Sequence, residues 1–320
     1  MIAELPPLAL SGSPGQVVVA ILALLVFASL TARLLRFTLA RRQPHAVIDN
    51  LVSRINAWWV IALVVGLALA AGRDGVTLLF AAASLRALGE FFPPPPVDSG
   101  LRKLRIGGFL IVVTLQYGFV WNGSLVAYGV FIPLLAAFAL PLAKLCASDA
   151  RLWPTGMRDL RLGLLFCVWG ISHVPALFAL PGQPADGHAW LVVFLLLVVQ
   201  LSDVLQYVWG KLAGRHAIAP RISPGKTVEG TIGGLLSASA VGAAISGVTR
   251  FTPGEAAIVA LLLAILGFLG GLTLSAIKRQ RGVKDWGSLI PGHGGMLDRL
   301  DSLCLSAPAF HYLLCSSLLA

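Results

Sequence analysis

Charge is the scarcest feature of this chain. Only 12% of its 320 residues are Asp, Glu, Lys or Arg, against 57% hydrophobic residues and a mean hydropathy of +0.86. A soluble domain carries roughly twice that charge fraction. A water-soluble globule is therefore excluded, and an integral membrane protein is expected. Two-residue alternation is also lacking. The apolar runs are continuous and about 17–25 residues long, which excludes a transmembrane β-barrel. Cysteine is sparse: Cys146, Cys167, Cys304 and Cys315 show no CxxC or other metal spacing and read as small apolar fillers. The N-terminus lacks the positive charge of a secretory leader, and its first apolar run is long and ends in arginines, so no signal peptide is expected.

What is there is a series of helix-length apolar segments. Ten are read, at residues 17–35, 56–72, 75–92, 106–121, 124–145, 162–180, 188–209, 231–249, 255–277 and 302–319. The connections alternate in basic content. One set holds 21 of the 24 Lys and Arg residues; the other holds Arg73 and Arg250, and Arg86 lies within a segment. A net charge of +10 invites a nucleic-acid reading, but this distribution is that of the positive-inside rule. No nucleic-acid partner is expected. The basic side is predicted to be cytoplasmic and both termini extracytoplasmic. The expected fold is all-α: a polytopic membrane protein of about ten transmembrane helices with a cytoplasm-facing polar cavity. Residues 1–160 are read as N-terminal transmembrane helices, and 161–320 as a C-terminal catalytic region.

Several local features fit this frame. Phe92 to Gly100 (FPPPPVDSG) is a stiff proline run that ends the third segment. Arg86 and Glu90 sit four apart and can pair on one helix face, unless Glu90 looks into the catalytic cavity. His173, near Pro175, reads as a neutral hydrogen-bonded histidine at a proline kink. The eighth and ninth segments are rich in glycine, alanine and serine, which favours close helix packing. No inverted-repeat transporter pattern is visible.

The chemistry concentrates toward the C-terminus. Asp203 closes an apolar run in LVVQLSDVLQYVWGK. An aspartate there is costly unless it meets a cation, a partner or water. Gln200, Gln206 and Tyr207 extend a polar strip beside it; a structural pairing with a lysine is the bland alternative. The block SPGKTVEGTIGG, Ser223 to Gly234, lacks the upstream glycine spacing of a Walker loop. Its glycine, Lys226 and the hydroxyls of Ser223 and Thr227, set before a helix, still suit a phosphate. The densest cluster is SAIKRQRGVKDWGSLIPGHGGMLDRLD, Ser275 to Asp301, with two lysines, three arginines, one histidine, five glycines and three aspartates. Acids interleaved with bases suit a divalent metal held against phosphates. Asp298 and Asp301 are spaced to share one helix face. Asp285, Asp298 and Asp301, joined by Asp203, are the candidate metal ligands.

Written as S-x-I-K-R-x4-K-D-x-G-x2-I-P-x-H-G-G-M-x-D-R-L-D, that run resembles the signature of phosphatidate cytidylyltransferases, the CDP-diacylglycerol synthases. The SPGKTVEGTIGG block is similar to the same family's upstream loop. The resemblance implies transfer of the cytidylyl group of CTP to phosphatidate, giving CDP-diacylglycerol and pyrophosphate. It implies Mg2+, with room for a second cation. It also implies a homodimer in a bacterial plasma membrane with the site on the cytoplasmic side. Lys284, Asp285, Asp298 and Asp301 are the expected catalytic residues. Ser223, Lys226, Thr227, Ser275, Lys278, Arg279, His293, Gly294, Gly295 and Arg299 are expected to bind substrate or phosphate. Two other readings stand beside this one. The chain is an enzyme on another lipid phosphate, or a CTP-dependent lipid-alcohol kinase; or it is a non-catalytic transporter or lipid-binding scaffold.

Overall fold

A computed structural model describes residues 13–39, 46–92, 99–141, 157–181, 187–289 and 294–319. Helices dominate, in this order: α1 Pro14–Leu39, α2 Ala46–Ala70, α3 Gly72–Phe91, α4 Ser99–Trp121, α5 Leu125–Ala139, α6 Met157–Ala179, α7 Gly187–Ala213, α8 Val228–Ala244, α9 Pro253–Gln280, α10 Leu297–Leu300 and α11 Leu303–Leu319. Each of the ten expected apolar segments has a helical counterpart. By length and composition, six stretches among the described residues can cross a membrane: Pro14–Thr38, Leu51–Ala70, Lys103–Trp121, Met157–Ala179, Gly187–Ala213 and Pro253–Gln280. Leu125–Ala139 and Leu303–Ser316 are shorter apolar helices. The chain is an all-α polytopic membrane protein.

One element departs from helix. Between α7 and α8, strand β1 (Ala217–Ala219) pairs antiparallel with β2 (Ser223–Thr227), Ala217 opposite Thr227 and Ala219 opposite Ser223. The block read as a phosphate loop is thus the second arm of a hairpin. Thr227 then caps α8, its Oγ1 accepting the Gly230 N–H at 3.1 Å.

Irregular helical turns fall beside prolines and at a packed centre. Pro133 precedes a wide π turn at Leu135–Ala139, and α6 contains another at Leu165–Gly170 before Pro175. His173 is fully buried there, its Nδ1 2.7 Å from the Trp169 carbonyl, the hydrogen-bonded histidine expected beside Pro175.

Burial is graded across the bundle. Helices α1, α2 and α4 turn Phe27, Leu30, Val60, Leu63, Leu104 and Ile111 outward, a surface suited to lipid rather than water. Helices α6, α7, α9 and α11 form the centre, where Ile171, Phe194, Leu263 and Phe310 are fully buried. Small residues bring these axes together. A methyl on Gly230 would meet the Gln206 carbonyl oxygen at 2.7 Å and Gly210 Cα at 2.8 Å, so α7 and α8 cross almost backbone to backbone. On α9, a methyl at Gly270 would meet the Asp301 carbonyl oxygen at 2.6 Å. That approach seats the turn before α11 directly on α9.

Candidate active site

Four elements converge at one end of this centre: the last turns of α7, the β2 arm, the C-terminal half of α9, and residues 294–302 around α10. Asp203 comes from α7. Lys226 comes from β2, its Nζ 4.7 Å from the centroid of the Phe268 ring on α9. Gly271 leaves a gap that this ammonium and Asp301 both border. A methyl there would lie 3.4 Å from Lys226 Nζ and 3.7 Å from Asp301 Oδ2.

The electrostatics of this group are unbalanced. Asp301 sits in the turn between α10 and α11. Packed helix ends partly desolvate it, and the Asp203 carboxylate adds like charge. Together they push its pKa up to about 6, against the pull of Lys278, Lys226 and Arg299. One Asp301 oxygen accepts the Ser302 N–H at 2.8 Å. Arg299 is anchored through its backbone, its carbonyl accepting from Gln200 Nε2 at 3.1 Å, while its buried Nε has no protein partner. A buried guanidinium N–H without an acceptor is costly. An anionic ligand would satisfy it.

Asp298 is in the opposite condition. Its Oδ1 accepts Lys278 Nζ at 2.8 Å, and both residues are buried. Its Oδ2 accepts the Trp286 N–H at 2.9 Å and the Gly295 N–H at 2.8 Å. Gly294 adopts φ +84°, and a methyl there would meet Asp298 Oδ2 at 2.7 Å. The glycines of the signature therefore make room for the protein's own carboxylate.

The structure thus divides the four aspartates expected at a metal. Asp203 and Asp301 are neighbours, Asp298 is fully engaged by protein donors, and Asp285 lies with Lys284 on the exposed loop after α9. Among the described residues, no three His, Cys, Asp or Glu side chains gather as a metal site. The Asp203–Asp301 pair still fits a hard divalent cation. Such ions take one or two carboxylates and fill their remaining positions with water and substrate phosphate.

The other expected binding residues are dispersed. Ser275 is half-buried on α9, one turn before Lys278. Arg279 ties the end of α9 to the hairpin, Nε donating to the Ile222 carbonyl at 3.0 Å and Nη1 to the Val283 carbonyl at 3.2 Å. Ser223 and Thr227 flank Lys226 on β2, with Thr227 engaged as a helix cap. Gly295 is buried under the loop. His293 lies outside the described residues. The polar strip on α7 divides: Gln206 turns back to Ser202 Oγ at 2.9 Å, while Tyr207 is exposed between Arg54 and Lys211.

Two groups were undervalued in the sequence. Glu229 holds the start of the hairpin, its Oε2 accepting the Arg215 N–H at 3.0 Å and its Oε1 lying 2.5 Å from His216 Nδ1. Those donors, the Arg215 amide first, hold its pKa down to about 2. Glu90 does pair with Arg86, at 3.2 Å, and it also reaches the signature loop. For Glu90 the sequence offered the Arg86 spacing and a place near the cavity, but not its backbone partners; for Glu229 the only signal was a carboxylate on a basic segment.

A membrane-embedded helical bundle that brings a lysine, an arginine and two aspartates around a glycine gap has the form of a phosphate-handling membrane enzyme. The comparisons agree with that class. The family model described as the cytidylyltransferase family matches residues 52–317, and the chain belongs to that family. It is 35% identical over 291 residues, 91% of this chain and 94% of the relative, to the uncharacterized protein YnbB of Escherichia coli (strain K12). It is 38% identical over 151 residues to the phosphatidate cytidylyltransferase of Staphylococcus saprophyticus, covering 47% of this chain and 58% of that protein. To the enzyme of the same name from Staphylococcus aureus (strain COL) it is 37% identical over 154 residues, 48% and 59% respectively. The chain thus spans somewhat over half the length of the phosphatidate cytidylyltransferases it matches.

Proposed function

We propose that the chain transfers the cytidylyl group of CTP to phosphatidate, yielding CDP-diacylglycerol and pyrophosphate, at a site on the cytoplasmic face of a bacterial plasma membrane. The observation that carries this reading is the group around Gly271: Lys226, Asp203 and Asp301, beside an Arg299 whose buried Nε has no protein acceptor. Cationic groups there receive phosphate oxygens, and the acidic pair fits Mg2+. The names of the staphylococcal relatives support phosphatidate as the acceptor.

The chemistry asks little of proton transfer. A phosphatidate oxygen, already anionic near neutral pH, attacks the α-phosphorus of CTP. A new P–O–P linkage forms, the Pα–O–Pβ bond breaks, and its electron pair leaves with pyrophosphate. The catalytic contribution is positioning and neutralisation of charge. Lys226 and Arg299 bind phosphate oxygens. Lys284 and Asp285, on the exposed loop, meet the nucleotide as it enters. Bound Mg2+ would supply further neutralisation of the triphosphate, held by Asp203 and Asp301.

Labelled nucleotides test the reading. Purified protein in phosphatidate-containing micelles with Mg2+ should transfer label to lipid from α-labelled CTP and release pyrophosphate. Label in lipid from γ-labelled CTP, with release of CDP, would overturn the assignment in favour of a lipid kinase. No label from either nucleotide, across several phosphatidates and lipid alcohols, would favour a scaffold.

A further inference from the structure

Glu90 lies on α3, in the N-terminal half, yet its carboxylate ends under the signature loop. Its side chain is 3% exposed, while its helical partner Arg86 is 50% exposed. A carboxylate that served only as the other half of an i,i+4 pair would have no cause to be so deeply buried. The extra partners are backbone amides. Oε1 accepts the Met296 N–H at 3.0 Å and Oε2 accepts the Leu297 N–H at 2.9 Å. The loop is shaped around this side chain. A methyl at Gly287 would have Glu90 Oε1, Cδ and Cγ as its three nearest atoms, at 2.9, 3.0 and 3.3 Å. A methyl at Gly295 would collide with Glu90 Oε2.

The neighbouring residue grips the same loop. Phe91 stacks on Trp286, ring centroids 5.0 Å apart, and its carbonyl accepts from Arg281 Nη1. Arg281 lies 4.0 Å over the Phe91 ring and pairs with Asp159 at 3.2 Å. Glu90 and Asp298 between them hold the amides of residues 286, 295, 296 and 297. Asp301 follows Leu297 by one helical turn, with Arg299 between them, so the place of both is set by where those amides are held.

We propose that Glu90 is a positioning residue for the transfer reaction: a strut from α3 that fixes the Met296 and Leu297 amides and thereby sets Arg299 and Asp301 against the reacting phosphates. The proposal rests on the nucleotidyl-transfer reading of the site. The Glu90 carboxylate touches backbone, not substrate, and its effect passes through the loop.

The test uses the full-length protein in detergent–phospholipid micelles. In Glu90→Ala and Glu90→Gln, hydrogen exchange in peptides covering 294–301 should accelerate at least about tenfold, the scale of one lost charge-assisted hydrogen bond, with the rest of the chain unchanged. Turnover should fall roughly a hundredfold in Glu90→Ala, the scale of a misplacement of about 1 Å. The loss should be smaller in Glu90→Gln, which keeps one acceptor, and the KM for the lipid should stay unchanged. Gly287→Ala should lower turnover in the parent protein and add nothing in the Glu90→Ala background, where the atoms it meets are gone. Unchanged exchange in 294–301, exchange accelerated uniformly over the chain, additive losses with Gly287→Ala, or turnover of Glu90→Ala within about threefold of the parent would each overturn the strut. If the parent protein labels no lipid, the chemical reading fails, and the exchange measurements alone decide whether Glu90 holds the loop.

Discussion

The two carboxylate groups at the signature end of the bundle differ in one respect, and the difference is instructive. Glu90 and Asp298 are saturated: their oxygens meet Lys278, Arg86 and the amides of residues 286, 295, 296 and 297. Asp203 lies near enough to Asp301 for their like charges to repel, and Arg299, which also acts on Asp301, keeps an unpaired buried Nε. The first group is complete within the protein and serves to hold shape. The second is less fully engaged, Asp301 accepting one amide, from Ser302, which is what the proposed phosphate site requires. Both groups lie within or against the same signature, so a match of residues to the motif does not by itself say which role each plays.

The strongest way to break this comparison is to neutralise Asp301. Asp301→Asn should lower lipid labelling from α-labelled CTP by about a thousandfold, the scale of a lost group that neutralises transition-state charge. The thermal midpoint of the apo protein should hold or rise. A variant that unfolds instead would move Asp301 into the saturated group. Lys226→Ala should abolish labelling in the same assay.

The saturated group should show the reverse pattern. Lys278→Met leaves Asp298 buried without its cation and should destabilise the protein by about 3–5 kcal/mol, seen as a lowered midpoint in detergent melts. Replacing both residues, as Lys278→Met with Asp298→Asn, should cost less than Lys278→Met alone. Equal losses would show that the pair is not coupled as its 2.8 Å contact requires.

Asp285 sharpens the boundary between the groups, because it is exposed and touches neither. Asp285→Asn should lower turnover about a hundredfold while leaving the melting midpoint within experimental scatter, if the loop carries it onto the nucleotide. Near-normal turnover at saturating Mg2+ would remove it from the site.

The smallest expected effect is on the pH dependence of stability. Asp301 has a folded pKa raised to about 6 from 3.8. The folded state therefore binds the proton more tightly than the unfolded chain does. The stability this contributes is fully present below the unfolded value and is lost as pH rises through about 6. In chelator, the midpoint of the parent protein should fall between pH 4 and pH 6 relative to Asp301→Asn. Two curves that run parallel across that window would show that Asp301 is not strained by its neighbours.

Much of the architecture was legible before any coordinates. Lipid-like runs are long and unbroken, and each expected segment has a helical counterpart, six stretches among the described residues being long and apolar enough to cross a bilayer, which demands that backbone polar groups be satisfied within the segment. The β1–β2 hairpin was not legible: SPGKT has a turn-like composition, and its strand pairing depends on Ala217 and Ala219 several residues upstream. The sequence does not show a second demand on two signature glycines: in the fold Gly294 makes room for Asp298 and Gly295 for Glu90.

The sequence by itself determined that this chain lives in a membrane, that it is helical, and that its C-terminal loops carry the residues of a cytidylyltransferase. Those conclusions rest on hydropathy and local spacing, which sum over neighbouring residues. Only the tertiary structure decided which carboxylates are fully engaged by protein donors and which are not. That depends on partners far apart in the chain: Glu90 meets Leu297 across 207 positions, and Lys278 meets Asp298 across the loop they enclose. Whether a buried acid is satisfied is a property of its three-dimensional surroundings, and no local pattern encodes it.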